Sequence, residues 1–219
     1  MINHELKQRI LSSIILIPLC IFFINIGGIL FNIFLLTLFS LSVYEWIKMN
    51  NKTKFHLYGI IFLSLSFSSV FILRDYFDEK GEILIFFLIL IGISTDFGGY
   101  LFGKSFRGPK LTKISPNKTY SGVFGSYIIS IFSTYILLQN LPFFFELKSS
   151  LNINVVFLIF ILSTISQFGD LVISYFKRLS SLKDTGKIIP GHGGILDRID
   201  GLIFIFPSFY ILNLFFKII

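Results

Sequence analysis

The sequence predicts an all-α fold, a polytopic bundle of about seven transmembrane helices with its N-terminus in the cytoplasm. Three observations carry that expectation. Charged residues make up 14% of the chain and hydrophobic ones 54%, with 29 phenylalanines among 219 residues and a mean hydropathy of +0.81. A water-soluble domain carries about a quarter charged residues and could not cover so much apolar side chain. The apolar residues also gather into runs of roughly 17 to 23, the length that crosses a hydrocarbon core. Finally, the basic residues fall on alternate loops, as they do when charge sets orientation in a membrane.

In chain order the spans are expected at 10–26, 29–46, 57–73, 83–102, 120–138, 153–176 and 199–216. A cleavable leader would account for the first run and for none of the later ones. Each run must be helical, because lipid offers no partner for backbone amides and the alternation of a barrel strand is absent. Gly27-Gly28 makes a tight hairpin of the first pair. Cys20 stands alone in the first run, so no internal disulfide can form and it reads as a small buried apolar residue. With no repeat, linker or composition break, a single integral membrane domain is expected over 1–219.

The loops test the count. With the N-terminus inside, the cytoplasmic segments hold Lys7 and Arg9; Lys48, Lys52 and Lys54; Lys104, Arg107, Lys110, Lys113 and Lys118; and Lys177, Arg178, Lys183, Lys187 and Arg198. Only Arg74, Lys80, Lys148 and Lys217 fall outside, and the outer loop near 74–82 carries Asp75, Asp78, Glu79 and Glu82. A miscounted span would scramble this bias. The net charge of +7 therefore reads as orientation and contact with anionic lipid or phosphate, not as nucleic-acid binding.

Asp96 and Asp170 lie within or at the ends of spans four and six. Carboxylates there are costly and usually face a polar cavity, a cation or a base. Asp197 and Asp200 open span seven with Arg198 between them, and positions i and i+3 share a helix face that could hold one cation. Acids at a helix N-terminus also gain from its dipole, but that does not explain the density of Gly191, Gly193 and Gly194 around His192. A glycine-rich turn entering a helix presents backbone N–H groups to an anion. Beside these acids stand Lys104, Lys110, Lys113, Lys118, Lys177, Arg178, Lys183 and Lys187, interleaved with glycine and proline in 115–119 and 183–187. Positive-inside topology explains their number. The combination of acids able to hold Mg²⁺, lysines and glycine turns suits phosphoryl or nucleotidyl transfer. His192 could be a base, a ligand, a phosphate contact or a turn residue.

The segment 174–200 resembles the signature of the phosphatidate cytidylyltransferase (CDP-diacylglycerol synthase) family, S-x-x-K-R-x(4)-K-D followed by H-G-G-x-x-D-R-x-D. Its fixed positions are met by Ser174, Lys177, Arg178, Lys183, Asp184, His192, Gly193, Gly194, Asp197, Arg198 and Asp200. Residues 115–122 are similar to the family's upstream S-P-K-K-T-W-E-G, with Lys118, Thr119 and Gly122 in agreement and Asn117, Tyr120 and Ser121 departing, so the acid of that motif is a serine here. Asp96 and Gly103 precede it much as a D-x-x-x-Y-x-x-G element does.

The resemblance implies transfer of CMP from CTP to phosphatidic acid, giving CDP-diacylglycerol and pyrophosphate, with Mg²⁺ as cofactor. It implies a metal centre at Asp170, Asp197 and Asp200, and catalytic parts for Lys183, Asp184 and His192. Lys118, Thr119, Lys177, Arg178, Gly193, Gly194 and Arg198 would bind the triphosphate and the lipid phosphate. It further implies a multi-pass protein of the inner (cytoplasmic) membrane, a cytoplasm-facing active site and a homodimer. The rivals are a CTP-using kinase of another lipid, against which the H-G-G-x-x-D-R-x-D block argues, and a transporter, which should show symmetric halves and repeated broken helices.

Overall fold

The computed structural model describes residues 4–49, 55–75, 79–140 and 153–216. Among them are the helices α1 (His4–Ile26), α2 (Gly28–Met49), α3 (His56–Asp75), α4 (Glu79–Phe106), α5 (Tyr120–Asn140), α6 (Ile153–Leu179), α7 (Leu196–Ile199) and α8 (Leu202–Phe216). Apart from isolated antiparallel bridges at Lys110 with Thr119 and Ile189 with Gly193, the described residues form no strand. The all-α expectation holds, and α1 to α6 coincide with the first six expected spans apart from their ends. Those six helices are long and apolar enough to cross a membrane. The chain is thus a multi-pass membrane protein by the length and composition of its helices. Of the charges used to orient it, Lys52, Lys54, Asp78, Lys148 and Lys217 lie outside the described residues.

The seventh expected span differs. A turn at Asp200-Gly201 separates the four residues of α7 from the 15 of α8. At 1.5 Å per residue α8 extends about 22 Å, short of a core of about 30 Å. Asp197 therefore belongs to a separate turn of helix and does not open the apolar one.

The chain divides into two compact units, Met1–Glu82 with Phe176–Asp200 and Ile83–Tyr175 with Gly201–Ile219. In the first, Gly27 (φ +62) and Gly28 (φ +56) take left-handed backbone that favours glycine, and so reverse the chain between α1 and α2. Arg74 reaches back to this corner, donating from Nε to the Ile24 carbonyl at 3.2 Å, and so places a cation at the C-terminal end of α1. α2 and α3 pack closely because Gly59 leaves room for the Trp46 indole, whose Nε1 donates to the His56 carbonyl at 3.2 Å. Phe176, near the end of α6, stacks edge-on against Trp46 at 4.9 Å and lies 5.6 Å from Phe55, tying that end to α2 and α3.

In the second unit, Gly98, Gly99 and Gly103 on α4 meet Gly122 and Gly125 on α5, where a Cβ would press on the opposite backbone or side chains. Small residues let membrane helices approach closely and hydroxyls then join them. Thr95 Oγ1 donates to Ser163 Oγ at 2.9 Å, and Ser126 Oγ to the Thr95 carbonyl at 2.7 Å. α6 carries Ser163, Ser166, Asp170, Ser174 and Lys177 at spacings of three and four, a polar stripe on an apolar helix.

Candidate active site

The first cluster is built by the chain leaving α6. Leu182 N donates to the Lys177 carbonyl at 2.8 Å and Ser181 N to Arg178 at 3.0 Å, with Ser181 at φ 56. This pattern ends a helix with a left-handed residue. The Ile-Pro-Gly-His-Gly segment then reverses sharply, with Ile189 N donating to Gly193 O at 2.9 Å and His192 N to Ile189 O at 3.0 Å. Gly191 (φ +75) and Gly193 (φ +89) are required by that backbone.

The reversal brings motif residues together around Asp197. Lys177 Nζ pairs with Asp197 Oδ1 at 2.8 Å. Oδ2 accepts from Thr185 N at 2.8 Å and Gly194 N at 3.0 Å, with Thr185 Oγ1 at 3.0 Å. The side chains of Lys177 and Asp197 are 11% and 4% exposed. A second buried acid closes the group from α2: Glu45 Oε1 accepts from Ile195 N at 3.0 Å, and Oε2 from Leu196 N at 2.9 Å and Thr185 Oγ1 at 3.1 Å. The glycine turn does present amides to anions, and the anions it holds are the protein's own carboxylates.

His192 faces α1. Its Nδ1 lies 2.7 Å from Ser12 Oγ and its Nε2 3.4 Å from Ser13 Oγ, while Arg9 Nε donates to the Gly191 carbonyl at 2.9 Å. Burial of the ring, then the charges of Arg198 and Arg9, lowers its pKa against an opposing hydrogen bond to the Pro190 carbonyl. Near neutral pH the imidazole is neutral and engaged with serine hydroxyls.

The second cluster lies in the other unit. Lys118 Nζ meets Asp170 Oδ2 at 2.5 Å and also donates to the Gln167 carbonyl at 3.3 Å. Ser174 Oγ donates to Asp170 Oδ1 at 3.2 Å. Lys118 and Asp170 are 24% and 26% exposed. Thr119 caps α5, its Oγ1 accepting from Gly122 N at 3.1 Å. Ser121, where the family pattern has an acid, donates to the Arg107 carbonyl at 3.1 Å.

Comparison with known proteins agrees with these motifs. Residues 7–80 and 55–216 match the model of the Cytidylyltransferase family. The chain belongs to that family. It is 33% identical to the phosphatidate cytidylyltransferase of Rickettsia typhi, over 97% of this chain and 94% of that protein. It is 30% identical to that of Bacillus subtilis, over 95% and 97%, and 39% identical to that of Staphylococcus epidermidis, over 74% and 62%.

Set against the family motif, Lys177, Asp197 and Gly194 come together, with Gly193 held near Asp197 and the side chain of Asp184. Arg198 donates to the His192 carbonyl at 2.7 Å, and exposed Arg178 donates to the Leu182 carbonyl at 3.1 Å. Lys183 and Asp184 are exposed on the loop, Asp200 is buried at the end of α7, and Asp96 lies on an exposed face of α4. An open cleft of about 390 Å³ lined by Lys110, Leu111, Thr112, Lys113 and Pro116 lies on the connection before α5. Among the described residues, no group of three or more His, Cys, Asp or Glu forms a ready-made metal cage. Sequence reasoning missed Glu45, Ser12 and Thr185. Glu45 carried a usable signal, since it is an acid inside an apolar run, the criterion that singled out Asp96 and Asp170.

Proposed function

We propose that this chain transfers the cytidylyl group of CTP to phosphatidic acid, giving CDP-diacylglycerol and pyrophosphate. The observation that carries the reading is the Lys177–Asp197 ion pair, which joins the K-R and D-R-x-D ends of the motif and is closed over by Thr185 and Gly194. The lipid phosphomonoester is ionised near neutral pH and can attack the α-phosphorus of CTP without a dedicated base. A P–O bond forms to the lipid phosphate while the bond from the α-phosphorus to the β-phosphate oxygen breaks, and pyrophosphate leaves with that electron pair. Lys118, Arg178, Lys183 and Arg198 are the bases proposed to offset charge on the triphosphate and the lipid phosphate. His192, neutral and tied to Ser12, serves better as a loop anchor than as a proton acceptor.

Mg²⁺ is the proposed cofactor. The Asp170 carboxylate and the Gln167 carbonyl already hold one cation, the Lys118 ammonium, so oxygens suited to a hard metal are in place. Asp170 is the favoured ligand. Asp197 and Asp200 are the other carboxylates that the resemblance assigns, and Asp197 would ligate by releasing Lys177. When bound, the metal would polarise phosphate oxygens and stabilise the departing pyrophosphate.

The alternation of basic loops supports a cytoplasmic N-terminus and a cytoplasm-facing site, and the bacterial relatives support the inner membrane. The family match over 7–80 and 55–216 supports a single catalytic domain over 1–219. A homodimer is also proposed; α1, whose apolar window is 11% buried, has an apolar face that a second copy could cover.

The deciding experiment uses purified full-length protein in detergent with phosphatidic acid, Mg²⁺ and CTP labelled at the α- or the γ-phosphate. Label from the α-phosphate should enter the lipid and the γ-label should leave in pyrophosphate, with chelation of the metal stopping both. Label from the γ-phosphate in the lipid would mean phosphoryl transfer. No labelled lipid, with detergent and acyl chains varied, would sink the reading.

A further inference from the structure

Glu45 lies in neither motif segment and is more than a hundred residues from the loop it touches. It sits on α2 within an apolar run and is 1% exposed. An acid so placed is costly unless its oxygens are satisfied. Here both are, by Ile195 N, Leu196 N and the Thr185 hydroxyl.

Two features connect this carboxylate to the transfer site. The Thr185 hydroxyl lies 3.1 Å from Glu45 Oε2 and 3.0 Å from Asp197 Oδ2. With one proton to donate, it serves either carboxylate in turn and couples their positions. The loop glycines are fitted to the same side chain. A Cβ on Gly186 would stand 2.6 Å from Oε1 and one on Gly194 2.5 Å from Oε2. Neither glycine has positive φ, so close approach to Glu45, and at Gly194 also to the Thr185 hydroxyl, is what favours glycine there.

We propose that Glu45 is a positioning residue for the transfer reaction. Through Thr185 and the first amides of α7 it fixes the Asp197 carboxylate, and with it the Lys177 ammonium, in the orientation that turnover uses. This rests on the cytidylyltransfer reading above. Glutamine in its place turns an amide N–H₂ toward backbone donors, so the staple is lost at one oxygen while the shape is kept.

The test measures kcat, KM for CTP and thermal unfolding of the detergent-solubilised full chain for Glu45→Gln, Thr185→Val, Thr185→Ser and the Glu45→Gln/Thr185→Val pair. Leu35→Ala, a buried change elsewhere on α2, serves as a stability control. Glu45→Gln and Thr185→Val should each lower kcat roughly 10- to 100-fold with little change in KM, as loss of groups that orient catalytic side chains does. Thr185→Ser should keep wild-type kcat. The double variant should lose no more than the worse single one, and Leu35→Ala should lower the unfolding temperature without lowering kcat. Wild-type kcat in Glu45→Gln, or losses that multiply in the pair, would overturn the proposal. If Glu45→Gln does not fold, equal kcat for Thr185→Val and Thr185→Ser would overturn it alone. A wild type that makes no CDP-lipid would instead overturn the underlying reaction.

Discussion

Asp197 is 4% exposed, pairs with Lys177 and takes backbone donors from Thr185 and Gly194, whereas Asp170 is 26% exposed, meets Lys118 at 2.5 Å and accepts from Ser174. The resemblance assigns both acids to one metal centre. Their surroundings differ. An ion pair taken out of water has to be satisfied from every side, and Asp197 is. Asp170 keeps part of its surface open and shares its counter-ion with a backbone carbonyl. The difference teaches that two acids assigned to one metal centre can sit in unlike surroundings, and burial gives a way to test whether their roles differ too.

The largest expected effect follows from the buried member. Asp197→Asn leaves the largely buried Lys177 ammonium without its counter-ion, which should lower unfolding stability by about 3–5 kcal/mol and abolish turnover together. Chemical unfolding in detergent measures the first and CDP-lipid formation the second. Lost turnover with unchanged stability would reverse the comparison and make Asp197 the ligand. Asp170→Asn should do the opposite, with stability within about 1 kcal/mol of wild type, as for a part-exposed pair. Its turnover should fall roughly 100-fold or more, the scale for removing a group that stabilises developing charge. A variant that unfolds as readily as Asp197→Asn would erase the distinction.

The third effect concerns how the loop of the buried cluster is closed. His192 has its pKa lowered, first by burial and then by Arg198 and Arg9. Above the ordinary histidine value of about 6.5 the ring is neutral whether the loop is closed or open, and pH has no leverage. As pH falls through that value the open loop takes up a proton that the closed loop resists, so closure weakens, and the penalty stops growing below the lowered value. Amide hydrogen exchange across 186–195, taken relative to the intrinsic rate at each pH, should therefore speed up on acidification in the wild type and not in His192→Gln. No such effect is expected around Asp170, where no histidine is involved. Equal acceleration in both proteins would remove His192 as the cause.

How much of this was legible follows from range. The first six helices could be read because lipid demands long apolar runs, and Lys177, Gly194 and Asp197 because the motif fixes their spacing. The split of α8 from α7 was missed although Asp200-Gly201 is itself a turn signal, and in the structure Gly201 packs against Ser166 there. Glu45 showed as an acid inside an apolar run, but its contact with the loop was hidden by distance along the chain. Its partners are backbone amides of Ile195 and Leu196, which have no sequence signature. The glycine turn was legible as a donor of backbone amides, and in the structure the Gly194 amide is taken by Asp197 of α7.

The smallest effect compares how α4 and α6 end in the two units. Each ends near a non-glycine residue at positive φ, Arg107 at 51 after α4 and Ser181 at 56 after α6. Arg107 is followed by Gly108 at φ 110, so the strain there is spread over a glycine, while Ser181 alone reverses the chain into the loop that carries Thr185. A left-handed residue other than glycine costs about 1–2 kcal/mol, against about 0.5–1 kcal/mol of extra chain entropy for glycine. Ser181→Gly should therefore stabilise by roughly 0.5–1 kcal/mol, read as a higher unfolding temperature in detergent with turnover unchanged. Gly108→Ala should destabilise the other end, because alanine cannot take φ 110 without strain. A Ser181→Gly protein that is less stable would mean that the serine is held left-handed by a contact worth more than the strain, and that the exit from α6 is tuned differently from the exit from α4.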